Sequence, residues 1–231
     1  MELTLTDKNN AMAIAQELFA LGFGSVIANK EAGRRGFWDW KDSVKESLDE
    51  DFDFASGCTK WVVMHPALGD WVLKFPMEQN IQRRLRRFVT EDNEEPAADY
   101  CALEVRNYER AVASKLEHFF AATYKLCDYE GFPVYIQQKA ECDESAYEDS
   151  FYEYCSSGYD KEDFDCEDDY YDAISSATDD MSDEDSVVAI FGGCAHDGLV
   201  TFIYNNIIGD LHAGNYGHVN GHPVLIDYSG Y

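Results

Sequence analysis

The sequence predicts an α+β protein: a small antiparallel sheet carrying one long helix, followed by a mostly helical C-terminal part. Three observations predict it. Two runs of strand formers, Trp61–Met64 and Trp71–Phe75, flank a Pro66–Asp70 turn, the pattern of a β-hairpin. Cys101, Val105, Tyr108, Val112 and Leu116 then recur at the spacing of one helical face. Between Glu141 and Ser186, a strongly acidic stretch carries eight aromatic residues, which favours packed helix over a solvated linker for part of it.

The elements follow in order. Thr6 or Asp7 can cap a first helix, with Ala11, Ile14, Ala15 and Leu18 on one face and Gly22 closing it. Phe37 to Leu48 is a second, shorter helical candidate, so residues 1–50 read as an N-terminal helical extension. A short strand near Asp53–Phe54 precedes a tight turn at Ser56–Gly57, and the hairpin 61–75 follows. Pro96 suits the first position of the long helix. Pro133–Gln137 supplies a further strand, and 51–140 is expected to form one sheet-bearing lobe. The remainder, 141–231, holds the acidic insertion 141–186 and an apolar helix from about Gly198 to Asn206. It ends in a polar, Gly-rich turn and a short Pro223–Ile226 strand, with polar loops over 207–231.

Composition bounds the function. At 231 residues and 45% hydrophobic, the chain has material for a real core in one domain or two lobes. It carries 18 Lys and Arg against 45 Asp and Glu, a formal −27. That field disfavours nucleic acid and anionic membrane as partners. The charge is concentrated: Glu141 to Asp185 holds 19 acids and one lysine, Lys161, leaving −9 for the rest. There is no apolar run long enough to span a bilayer, and Met1–Thr4 does not open a basic-then-apolar leader. Seven cysteines, an odd number without a Cys-x-x-Cys pair, argue for reduced thiols. A cytoplasmic location is expected from these features.

The chemistry sits in the C-terminal stretch. Asp210-Leu211-His212-Ala213-Gly214-Asn215 is followed by Ile226-Asp227-Tyr228-Ser229-Gly230 at the end of an apolar strand. Phosphoryl transfer needs one carboxylate to take or orient the proton of an attacking hydroxyl. It also needs an amide oxygen and a second carboxylate for Mg²⁺, which prefers hard oxygen ligands.

On these residues the chain resembles the protein kinase-like superfamily. Its motifs are closer to the small-molecule and atypical kinases than to ordinary protein kinases, which carry His-Arg before the Asp where Ile208-Gly209 stand here. Val72-Leu73-Lys74 resembles the strand whose lysine contacts the α- and β-phosphates. The resemblance covers roughly Asp53 to Tyr231 and implies a sheet-bearing N-lobe and a reduced, mostly helical C-lobe. It implies Asp210 as base, Asn215 and Asp227 as metal ligands, Lys74 on the phosphates, and Glu104 as the partner of Lys74, with Glu109 the weaker choice. Gly57 would belong to the phosphate loop, and Lys139, Ala140 and Glu141 to the hinge that receives adenine. ATP and Mg²⁺ are the implied cofactors, and the implied function is phosphotransfer to a hydroxyl. The alternative is a non-catalytic kinase-like module that uses 141–186 to bind a basic protein surface.

Other readings are weaker. Lys74, set between apolar residues, is awkward on a buried strand unless paired, which favours the pair with Glu104; a lysine snorkelling from an edge strand is the competing reading. His212, His218 and His222 match no zinc spacing, and His212 is expected to brace the loop. Asp163-x-Asp165-x-Glu167 lacks the glycine and terminal Glu of a calcium loop. Arg83, Arg84, Arg86 and Arg87 form the one basic cluster, a solvated face or a partner for acids or phosphate. No nucleophile elbow, Walker loop or dinucleotide fingerprint occurs.

Overall fold

The computed structural model describes residues 2–28, 33–57, 59–77, 99–193 and 196–229. Pro96 and the four clustered arginines lie outside the described residues. Two compact units emerge: unit 1 holds Met1–Arg110 and Ala121–Lys139, and unit 2 holds Ala111–Phe120 and Ala140–Gly230. Among the described residues there are eight α-helices, a five-stranded antiparallel sheet and a two-stranded one, so the chain is α+β.

Unit 1 begins with α1 (Leu5–Ala20), α2 (Phe23–Ala28) and α3 (Gly33–Ser43). Thr4, not Thr6, caps α1. Its hydroxyl accepts from Asp7 N–H at 3.2 Å while the Asp7 carboxylate accepts from Thr4 N–H at 2.9 Å. This reciprocal box satisfies two of the amides that a helix start leaves over. The sheet has order β1 (Asp53–Ser56), β2 (Lys60–Met64), β3 (Trp71–Pro76), β5 (Phe132–Gln138), β4 (Thr123–Tyr129). The expected 61–75 hairpin is present, and Pro66–Leu68 forms a single 3-10 turn within it.

Strand alternation divides the sheet residues between two faces. Trp61, Leu73 and Phe75 lie on one face. There Phe37 stacks on Trp61 at 4.4 Å between ring centroids, and Phe19 and Phe23 meet Phe75 edge-on. The N-terminal helices therefore share a core with the sheet. The opposite face carries Lys60, Val62, Lys74 and Tyr135, by the register Val62↔Lys74 and Lys74↔Tyr135. Helix α4 (Tyr100–Ala113) supplies Glu104 to that face. Asp99 caps α4 by accepting from Cys101 and Ala102 N–H at 2.9 and 3.1 Å.

Unit 2 contains α5 (Glu144–Ser156), α6 (Glu167–Asp179), α7 (Asp183–Phe191), α8 (His196–Asn206) and the hairpin β6 (Tyr216–Val219)–β7 (His222–Leu225). The acidic stretch is more than an appended insertion. Tyr147, Phe151, Ile174 and Ser186 are buried, and Phe151 meets Tyr216 edge-on at 5.9 Å. Many of its acids stand in first turns: Glu144 in α5, Glu167, Asp168 and Asp169 in α6, and Asp183, Glu184 and Asp185 in α7. Negative charge at a helix start is favourable against the macrodipole, which lets so acidic a segment stay helical. Lys161 is the only lysine or arginine after Lys139.

Candidate functional site

The site residues expected from the sequence fall into two polar clusters, one in each unit. In unit 1, Lys60 and Lys74 stand diagonally on one face of β2 and β3, because Lys60 pairs with Pro76 and Val62 with Lys74. Both reach the same carboxylate. Lys74 Nζ donates to Glu104 Oε1 and Oε2 at 3.1 and 2.9 Å, and Lys60 Nζ donates to Oε1 at 2.6 Å. Glu104 is fully buried, and a charge there must be paired and hydrogen-bonded to persist. The expected Lys74–Glu104 pair is thus present, whereas Glu109 is exposed. Lys60 was not legible as a partner, since a lysine at a strand start reads as a solvated flank.

The surroundings of this cluster are fixed by ionisable groups of their own. Asp99, the α4 cap, accepts a short hydrogen bond from the Tyr135 hydroxyl and so ties the helix start to β5. Burial raises the Asp99 carboxyl above its ordinary value, against the opposing bonds from Tyr135, Ala102 and Cys101. Burial, reinforced by Asp99, also raises the Tyr135 phenol. Burial pushes the Cys101 thiol well up, with the Glu104 charge adding to it, so Cys101 is a packing residue and not a nucleophile.

In unit 2, the loop after α8 arranges Asp210 and Asn215. The backbone at Ile207 and Asp210 is left-handed, φ 54° and 59°. Aspartate tolerates this conformation; a β-branched isoleucine is strained by it. Asn215 Nδ2 donates to the Asp210 carbonyl, and His212 Nδ1 accepts from Gly214 N–H at 3.1 Å. His212 braces the loop as expected. Asp210 itself is exposed and Asn215 buried. The β6–β7 hairpin then brings Asp227 to the same end as Asn215. Tyr216 pairs with Leu225, and Ile226 N–H donates to the Asn215 carbonyl at 2.9 Å. Asp227 accepts from Ser229 Oγ at 3.1 Å.

The donor types here are those a hard divalent cation takes. The Asn215 amide nitrogen is committed to Asp210, which leaves Oδ1 as its ligand atom, and Asp227 adds a carboxylate. The other predicted sites are less well matched. Gly57 lies in the short β1–β2 turn, where its N–H bonds the Lys60 carbonyl at 3.2 Å. At the expected hinge, Lys139 N–H is spent on Asp70 O at 2.8 Å. Glu141 and His218 exchange both backbone bonds, at 2.9 and 2.8 Å. The Glu141 N–H is therefore already bonded and not available to adenine. Gly217 permits the close approach of 140–141, since a Cβ there would lie 2.8 Å from Ala140 Cβ.

Asp183 is a residue that sequence reasoning missed. It opens α7, and its Oδ1 accepts from Leu211 N–H at 2.8 Å. Its Oδ2 lies 3.3 Å from where a Cβ on Gly209 would stand. The carboxylate thus bonds the backbone just after Asp210 and packs close to it just before. His218 is held by Tyr147, whose hydroxyl contacts Nδ1 at 2.9 Å and whose ring stacks on the imidazole. Burial pushes the Tyr147 phenol up to about 12.

Among the described residues, Asp49, Asp51 and His65 are the one group of three or more His, Cys, Asp or Glu side chains whose ligand atoms lie close enough to share an ion. His65 Nδ1 accepts from Ala67 N–H at 3.1 Å, so the neutral ring carries its proton on Nε2, the atom facing Asp49. A proton on Nε2 blocks ligation there, and His65 is a turn cap. No helix among the described residues is long and apolar enough to cross a membrane. Compared with known proteins, the chain matches no family model, no curated protein and no solved structure.

Proposed function

We propose that the chain is an ATP- and Mg²⁺-dependent phosphotransferase of kinase-like fold that acts on an acceptor hydroxyl. The observation that carries this reading is the buried pair of strand Lys74 with helix Glu104 at 2.9 Å, expected from motif order before any geometry. Glu104 fixes the ammonium of Lys74 so that its charge is directed and not free to wander, which is what holding α- and β-phosphate oxygens requires. Asn215 and Asp227 would hold Mg²⁺, which when bound neutralises phosphate charge. Asp210, exposed on its braced loop, takes the proton. The acceptor oxygen forms a bond to the γ-phosphorus, the bond from that phosphorus to the bridging oxygen breaks, ADP leaves with the electron pair, and the hydroxyl proton passes to the Asp210 carboxylate.

Incubation with Mg²⁺ and ATP labelled separately at the α- and γ-phosphates tests the reading. Transfer of γ-label, abolished in Asp210→Ala and Asp227→Ala with the circular dichroism unchanged, is expected. Full transfer by Asp227→Ala refutes the assignment, and transfer of α-label would replace it with nucleotidyl transfer on the same residues.

The second reading is a non-catalytic module that binds a basic protein surface through 141–186. It is favoured by the acids carried on α5, α6 and the start of α7 together with the exposed rings of Tyr159 and Tyr171. Deleting the segment would remove buried core residues, so the clean test neutralises exposed acids of α6. Salt-insensitive partner binding, or binding unchanged by neutralisation, counts against it.

A further inference from the structure

We propose that unit 2 carries a docking pocket for an acceptor polypeptide that presents an aliphatic side chain beside a lysine or arginine. This rests on the phosphotransferase reading and names its substrate class. The pocket is lined by α7, α8 and the turn that leads into the Asp210 loop. Val187, Ile203 and Ile208 are its buried floor, Val200 and Tyr204 form a wall, and Asp183 and Glu184 stand at the rim. Its volume is about 130 Å³. An apolar cavity of about 150 Å³ accepts benzene, so this one has room for a single leucine- or isoleucine-sized side chain. Tyr204 is 83% exposed, a large ring held in water at the pocket edge, where an incoming aliphatic group can cover it.

Charge selects what accompanies that side chain. Unit 2 contains 23 Asp and Glu against two lysines, a net −21. Glu184 is exposed at the rim. A cationic segment is drawn to this surface and an anionic one repelled. Nucleic acid and acidic lipid are thus disfavoured, and a basic polypeptide is the occupant that fits both floor and rim.

The pocket is tied to the chemistry through Asp183. That residue lines the pocket and also accepts the Leu211 N–H at 2.8 Å. Ile208, in the floor, is two residues before Asp210. A segment seated there lies beside the loop that carries the proposed base.

Four fluorescein-labelled peptides on one Gly-Ser background test this with the full chain, read by polarisation without nucleotide. One carries leucine flanked by lysines, one leucine flanked by glutamates, one glycine flanked by lysines, and one glycine flanked by glutamates. The leucine–lysine peptide is expected to bind about tenfold tighter than each of the others, the scale of one well-placed anchor. Tyr204→Ala should weaken that binding about tenfold, and Glu184→Lys should reduce the preference for lysine over glutamate. Both positions are exposed, so the fold is retained, and circular dichroism checks it. Equal binding of the leucine–lysine and glycine–lysine peptides, or indifference to both substitutions, overturns the pocket. Adding Mg²⁺ and γ-labelled ATP separates the two claims. Ordered binding without any label transfer overturns the phosphotransferase reading and leaves the pocket. Label transfer without order among the four overturns the pocket and leaves the reading.

Discussion

Replacing Glu104 by glutamine tests the buried cluster of unit 1. Glu104 accepts three hydrogen bonds, two from Lys74 and one from Lys60, at 2.6 to 3.1 Å, and is fully buried. Glutamine keeps the shape but removes the negative charge that both ammoniums share. Stripping one partner from a buried ion pair costs about 3–5 kcal/mol. Lys74→Met behaves differently, because Lys60 still holds Oε1 at 2.6 Å and the methionine fills the vacated space; about 1 kcal/mol is expected. Removing both lysines strands the carboxylate and returns the cost to about 3–5 kcal/mol, well beyond the sum of the single changes.

Urea unfolding measures these values, with tryptophan fluorescence as the probe. Trp38, Trp40, Trp61 and Trp71 all belong to unit 1, so the signal reports that unit alone. With a slope of about 2 kcal/mol per molar urea, Glu104→Gln lowers the midpoint by about 2 M. Additive lysine substitutions, or a Glu104→Gln midpoint no lower than that of Lys74→Met, would refute the reasoning.

Three further outcomes are expected. Ile207→Gly relieves a left-handed backbone that isoleucine adopts at φ 54° while 57% exposed, and should stabilise unit 2 by about 1 kcal/mol, read by circular dichroism in urea. Asp99 has a raised carboxyl, so the native state binds its proton more tightly than the unfolded chain. Its contribution is full below the ordinary aspartate value and is lost as pH rises through the raised one. Asp99→Asn, which still caps, should abolish that downward slope of the urea midpoint above about pH 4. Asp183→Ala removes the acceptor that holds Leu211 N–H, next to Asp210. If the chain transfers phosphate, kcat should fall about tenfold with KM for ATP unchanged, and Asp183→Asn should recover most of it by keeping the bond to Leu211 N–H.

Legibility in the sequence varied with how far each signal was local. The 61–75 hairpin was readable because strand formers and a Pro–Gly turn lie within one window. Lys74 was readable because an apolar setting makes a lysine demand a counter-charge, and one helix follows to supply it. Strand β4 was not, since Lys125 and Asp128 break its alternation and a bulge shifts register between Lys125 and Cys127. Strand β6 was hidden by Gly217, which is there because 140–141 packs against it. Lys60 and Asp183 were illegible for the same reason: each looks like a surface charge, and only tertiary packing reveals the atom it holds. Asp183 is one of 19 acids in its stretch, and nothing local sets it apart.

The scarcity of basic residues after Lys139 also governs how the chain responds to proteases and labels. Trypsin has one cleavage point between Lys139 and Tyr231, after Lys161, so 162–231 stays in one piece even in the denatured protein. That peptide carries Asp210, Asn215 and Asp227 together. A covalent adduct anywhere on the loops is therefore weighed on one intact fragment, while amine-reactive cross-linkers find no lysine on it to join.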